Sequence, residues 1–158
     1  MSKEAAAPRE LSITRLIHAS PETVYRVWTE RTAEWWAPLP YTTPVVDWDL
    51  RAGGSARTVM KGPDGVEMDN EGVFLEVVPN RKIVFTDAFK AGWIPQDQFM
   101  VAIVTFEPED GGTRYTARVL HWSEEALKRH EAMGFQQGWS TVAEQLAKLA
   151  EAETSSRA

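Results

Sequence analysis

The sequence predicts an α+β domain: a curved antiparallel sheet of six to seven strands around a long C-terminal helix, with two short helices after the first strand. Three observations carry this. The segment running from Trp122-Ser123 to about Glu151 has Phe135, Trp139, Val142, Leu146 and Leu149 at alternating steps of four and three, the spacing of one helix face. Just before it, Thr113 to His121 alternates polar and apolar residues as a half-buried strand does. Upstream, short apolar runs are separated by Gly, Pro, Asn and Asp turns, the pattern of an antiparallel meander. A helix with so strong an apolar face needs a partner, and a curved sheet supplies one while leaving room for a cavity.

Taken in order, residues 1–9 are small and polar and are expected to be a disordered tail. Leu11 to Ala19 opens the domain as a strand. Ser20, Pro21 and Glu22 then start a helix, with Ser as N-cap, Pro at the first helical position and an acid in the first turn. Val24, Val27 and Trp28 form its apolar face. Thr29 to Ala37 is expected to form a second short helix carrying Trp35 and Trp36, stopped by Pro38 and Pro40.

Strands follow at Val45–Leu50, Ser55–Lys61, Glu71–Val78 and Arg81–Asp87, punctuated by Gly53-Gly54, Pro63-Asp64-Gly65 and Pro79-Asn80. A loop from Ala88 to Gln98 leads to Phe99–Phe106, which pairs with Thr113–His121. Ser123 caps the final helix, with Glu124 and Glu125 suited to its dipole. The single domain spans residues 10–152, and 153–158 form a second disordered tail.

Composition narrows the function classes. The chain has 158 residues, enough for one domain that buries roughly 70% of its unfolded surface. A net charge of -6 argues against nucleic acid, which needs a basic footprint. No apolar run is long enough to span a bilayer, and the N-terminus lacks a signal-peptide core, so a cytoplasmic protein with no stable membrane association is expected. With no cysteine, there are no disulfides, thiolate metal sites or cysteine nucleophiles. The three histidines are too dispersed for metal-ligand spacing, so neither a metal nor another cofactor is expected. Seven tryptophans is a high count, and they either fill a large core or line a pocket.

The order of elements resembles the helix-grip fold of the START-like superfamily. Ile13 to Trp28, Trp35-Trp36-Ala37-Pro38, Asp49 to Gly54, Asp64-Gly65, Gly72 to Pro79, Gly112-Thr113, and Gly138-Trp139 with Leu146 and Leu149 are together similar to the activator of heat-shock-protein-90 ATPase homologue family. The resemblance covers about residues 11–150. It implies an antiparallel sheet gripping the last helix. The superfamily includes lipid and hormone carriers, polyketide cyclases and dehydratases, and ligand-sequestering proteins. The namesake co-chaperone carries this domain behind a separate N-terminal domain for which these residues leave no room, so a chaperone partner is not the favoured expectation.

Individual residues sharpen the site. Thr113, Tyr115, Ala117, Val119 and His121 share the inward face of the last strand, because the alternative would point Arg114 and Arg118 at the core. His121 reads first as a boundary histidine bonded to backbone, and second as a polar group at a pocket mouth. His130, beside Glu131, reads equally as a surface ion pair or cap and as a pocket group. His18 reads as structural. Asp47 and Asp49 read as a solvated strand face, ahead of a carboxylate pair. Asp87 is a buried anchor or a strand end. Gly134 and Gly138 weaken the helix, either for close packing on the sheet, or to open space beneath it or allow the helix to bend. Trp93 in the 88–98 loop reads as a cover over core or a lid.

The leading expectation is a non-enzymatic protein that binds a small apolar or aromatic molecule between sheet and helix. Trp36, Trp48, Phe85, Trp93, Tyr115, Phe135 and Trp139 are the expected lining, and His121 and His130 the expected polar contacts. The rival is a cyclase-, dehydratase- or hydrolase-type enzyme using His121 or an Asp in the same cavity. A third reading, a chaperone ATPase-activating module, needs an exposed apolar patch. A homodimer is compatible with the sequence.

Overall fold

The computed structural model describes residues 9–156. The N-terminal tail expected over 1–9 lies, apart from Arg9, outside them, as do Arg157 and Ala158. Five strands form the main sheet in the order β1-β10-β9-β6-β5: β1 (Glu10–Ile17), β5 (Val73–Val78), β6 (Lys82–Thr86), β9 (Met100–Glu109) and β10 (Gly112–His121). A three-stranded sheet of β2 (Thr42–Trp48), β3 (Ala56–Lys61) and β4 (Glu67–Asn70) joins it through a bridge between Ser55 and Val73. All pairings are antiparallel.

The inward face of β10 is the one its alternation predicts. Thr113, Tyr115, Ala117, Val119 and His121 are buried, and Arg114 is exposed. Tyr115 sits opposite Phe106 and Ala117 opposite Val104, so apolar pairs line the concave side. On the convex side Arg114 pairs with Glu109 and Arg118 with Glu10.

Four local expectations are corrected. First, β9 and β10 run on through Pro108 and Gly112, leaving Asp110-Gly111 as a two-residue turn with positive φ at both positions (49° and 78°). Pro108 is tolerated because β6 reaches only as far as Thr105 along β9, so no ladder bond is lost on that side. Second, the strand expected over Glu71–Val78 begins only at Val73, as β5, and an unexpected strand, β4, precedes it in the other sheet, with the chain crossing between the two at Gly72. A Cβ there would lie 2.3 Å from the Thr86 carbonyl oxygen. Third, the second short helix shrinks to one 3-10 turn, Thr32–Glu34, after α1 (Pro21–Glu30). The chain beyond it is held by Gln145, which donates to the Trp35 and Ala37 carbonyls (3.0 and 2.9 Å) and accepts from Leu39 N–H (3.1 Å).

The fourth correction concerns the closing helix. It is two helices, α2 (Glu124–Ala132) and α3 (Phe135–Ser156), broken at Gly134, whose φ of 90° only glycine adopts without strain. Ser123 caps α2 by accepting from Ala126 N–H (3.0 Å). At its other end α3 continues through residues expected to be a tail, with Glu153 paired to Arg26 and Arg31 on α1. Its far half buries Ala143, Leu146, Ala147 and Ala150 and packs on α1 and β1. The small alanines permit close approach there, whereas Phe135, Gly138 and Trp139 begin the half that stands off the sheet.

Candidate functional site: a cavity between sheet and helices

Under the first two turns of α3 lies a cavity of about 380 Å³. Phe135, Gly138, Trp139 and Val142 form its roof, with His130, Met133 and Gly134 at the α2–α3 junction. Phe85 of β6, Met100 and Val104 of β9 and Tyr115 of β10 form its floor, and Thr58 and Met60 of β3 one side. Asn70, Glu71 and Asp87 stand at one end, where a second, polar depression begins. A Cβ built on Gly138 or on Gly134 would meet no atom within 4 Å. That removes the close-packing explanation for both glycines: Gly134 makes the break, and Gly138 leaves space.

Trp28, itself on the cavity wall, is the centre of an aromatic cluster. Its ring lies 5.0–5.9 Å from those of Trp48, Trp35 and Trp36, and its indole N–H donates to the buried Tyr115 hydroxyl (3.1 Å). Burial pushes the Tyr115 pKa up, so the phenol stays protonated. Accepting from Trp28 leaves its own O–H proton available.

The histidines form the polar feature of the opposite end. His121, at the inward end of β10, and His130, in the last turn of α2, are both buried and lie 2.9 Å apart, His121 Nε2 to His130 Nδ1. His121 Nδ1 is also 3.0 Å from the Arg9 carbonyl oxygen. A carbonyl can only accept, so Nδ1 of His121 carries the proton. In the neutral pair, Nε2 of His121 therefore accepts from Nδ1–H of His130, and Nε2 of His130 is left as a lone-pair acceptor. The His130 ring is enclosed by Phe99 and Phe135 at 5.0 Å and Trp139 at 6.0 Å, with Phe135 and Trp139 stacked on each other.

Burial first, and the neighbouring His121 second, lower the His130 pKa from 6.5 to about 4. A histidine depressed in the folded state binds fewer protons than its unfolded counterpart between those values, so its contribution weakens stability as pH falls from about 6.5 toward 4. The unfolding free energy from urea titration should accordingly drop between pH 7 and pH 5, on the order of 1 kcal/mol of it from His130. His130→Phe should flatten that slope; identical slopes in both proteins would refute the assignment.

Of the expected lining residues, the cavity brings together Trp36, Phe85, Tyr115, His130, Phe135 and Trp139. Three lie elsewhere. Trp48 packs behind, against Trp28, Trp36 and Phe74. Trp93 is half-exposed, at φ 58°, edge-on to Phe89 and over Gly53, where a Cβ would come within 2.9 Å of its ring. Its loop folds into a two-strand ladder of β7 (Phe89–Lys90) and β8 (Ile94–Pro95), and Gln96 pins it by donating to the Glu71 and Asp87 carbonyls. His121 reaches the cavity only through His130, and its backbone bond is the first of the two readings given to it.

Other residues resolve as follows. His130 has no ion pair with Glu131 among the described residues. His18 is exposed and donates its backbone N–H to Glu151. Asp47 is exposed on β2, and Asp49, just past the end of that strand, pairs with the exposed Arg51. The Asp87 carboxylate accepts from the N–H groups of Phe99 and Met100, fixing the start of β9 beside the cavity. Sequence reasoning missed Phe99, Met133 and the cavity role of Trp28. Trp28 read only as core on the α1 face, and Phe99 and Met133 carry no periodic signal. Among the described residues no carboxylate hydrogen-bonds either buried histidine, and no group of three His, Asp or Glu is placed to hold a metal. No helix among them is long and apolar enough to cross a membrane.

A twisted antiparallel sheet gripping a C-terminal helix over an aromatic cavity defines a START-like domain. The chain belongs to the family described as activator of Hsp90 ATPase homolog 1-like protein, whose model matches residues 18–151. Protein NE0264 from Nitrosomonas europaea is 34% identical, with 92% of this chain and 96% of that one covered at a TM-score of 0.88. Protein Ms6760 from Mycobacterium smegmatis is 28% identical over 90% of both chains, with a TM-score of 0.77. CV1439 from Chromobacterium violaceum is 26% identical over 92% and 99%, at 0.72. No curated protein matches the chain.

Proposed function

We propose that this chain binds a small apolar or aromatic molecule in the cytoplasm, holding it between the sheet and the first turns of α3. The observation that carries the reading is the cavity of about 380 Å³, roofed in part by a helical glycine at which an added Cβ would meet no neighbour within 4 Å. A helix interior tolerates glycine at a cost of about 1 kcal/mol relative to alanine, so an open position facing an aromatic-lined space calls for a use. The lining fits the general make-up of small-molecule sites, mostly apolar with few polar groups. Among the described residues no carboxylate joins the histidine pair to share acid–base work, and the convex sheet face carries ion pairs at Arg114 and Arg118, which favours binding over the other two readings.

Native mass spectrometry of protein purified from its own host tests this. A small organic molecule should accompany the folded chain and leave on denaturation. Purely unliganded protein, together with no thermal shift from any of a panel of small aromatic compounds, would defeat the proposal.

A further inference from the structure

Resting on that reading, we infer that the cavity selects an uncharged aromatic ligand bearing a hydroxyl or N–H donor, which it receives on Nε2 of His130. The direction of the histidine pair is imposed from outside the cavity. The Arg9 carbonyl takes the proton of His121 Nδ1, His121 Nε2 takes that of His130 Nδ1, and the acceptor end of the relay is His130 Nε2. No other described residue hydrogen-bonds that nitrogen, while the ring itself is buried on the cavity wall.

The surroundings specify the rest of the ligand. Phe99, Phe135 and Trp139 enclose the imidazole edge-on or tilted, which suits a planar body with its donor directed at the ring nitrogen. The charged residues of the lining are Glu71 and Asp87, both carboxylates, and no lysine or arginine joins them. Arg129 is engaged on the Phe99 ring, 4.9 Å from its centroid. An anionic ligand would therefore meet like charge at one end and no cation along the wall. Desolvation also keeps His130 neutral at physiological pH, so it accepts rather than forming an ion pair.

Calorimetric titration with three compounds that share one ring system, 2-naphthol, 2-methoxynaphthalene and 2-naphthoate, separates the possibilities. 2-Naphthol should bind about tenfold more tightly than 2-methoxynaphthalene, the consequence of one hydrogen bond to a buried acceptor, and 2-naphthoate should bind weakest. His130→Phe should abolish the preference for naphthol over its methyl ether. Equal affinity of naphthol and its methyl ether for the wild-type chain, or tightest binding of the carboxylate, would overturn the inference and leave ligand binding standing. Binding of none of the three would overturn the inference, and the proposed function with it if the purified protein also carries no ligand and the wider panel gives no thermal shift. Long-range ¹⁵N–¹H spectra of the unmodified protein at pH 7 give a readout independent of any variant: both rings should carry their proton on Nδ1. A proton on His130 Nε2 would overturn the relay.

Discussion

Trp28→Ala should cost about 4 kcal/mol of folding stability and lower the midpoint of thermal unfolding by roughly 10 °C. The indole is 1% exposed and within ring-contact distance of Trp35, Trp36, Trp48, Phe85 and Phe106. Truncation removes dispersion contacts to five aromatic rings at once and leaves a void that α1, the Trp35–Trp36 segment and both sheets would have to collapse into together. It also deprives Tyr115 of its buried hydrogen-bond donor. Trp93→Ala is the natural comparison: with its ring half-exposed on the 88–98 loop, the same substitution should change stability by about 1 kcal/mol or less. Calorimetric scans of the two variants decide the matter. A fall of less than about 3 °C for Trp28→Ala would mean that the cluster does not depend on it.

The second large effect is on binding. Gly138→Leu should weaken aromatic ligands by roughly 100-fold while stability holds or rises. Gly138 has ordinary helical backbone, so a side chain there brings no conformational strain, and its Cβ enters space with no atom within 4 Å. Leucine is a better helix former than glycine by nearly 1 kcal/mol and could bury apolar surface against Phe135, one turn back. The ligand would lose the volume that the side chain takes. Titration with 2-naphthol alongside urea unfolding gives both readouts. Binding unchanged in a folded Gly138→Leu protein would place the ligand elsewhere, and a clear loss of stability would mean that the space is not available.

Much of this fold was legible because its signals are local and periodic. The alternation of Thr113–His121 identifies which residues face inward, since a strand repeats every two residues and arginines do not enter a core. Ser20-Pro21-Glu22 marks the start of α1, where its hydroxyl accepts from Thr23 N–H at 3.2 Å. The family resemblance, read over about residues 11–150 and matched by the family model over 18–151, extends the same reading along the chain. Where the reading failed, the deciding groups are far apart in sequence. Glu67–Asn70 has no apolar alternation to announce a strand; it pairs because β3 is beside it. The break in the last helix looks, in sequence, like any tolerated helical glycine, and φ at Gly134 separates it from Gly138.

The candidate site divides along the same line. Aromatic residues on inward faces, Phe85, Tyr115, Phe135 and Trp139, were identifiable from pattern, because burial of apolar surface dictates their placement. Trp48 and Trp93 are equally aromatic, yet one packs behind Trp28 and the other covers a loop, and composition cannot tell a wall from its backing. His121 and His130 are nine residues apart, with separate roles in the sequence. Closing α2 onto the end of β10 brings their nitrogens to 2.9 Å, and the Arg9 carbonyl, 112 residues from His121, orients the pair. Hydrogen-bond direction depends on which groups meet in space. The primary structure thus accounts for the sheet, the helix and the aromatic wall, while tertiary contact alone turns two scattered histidines into one oriented acceptor.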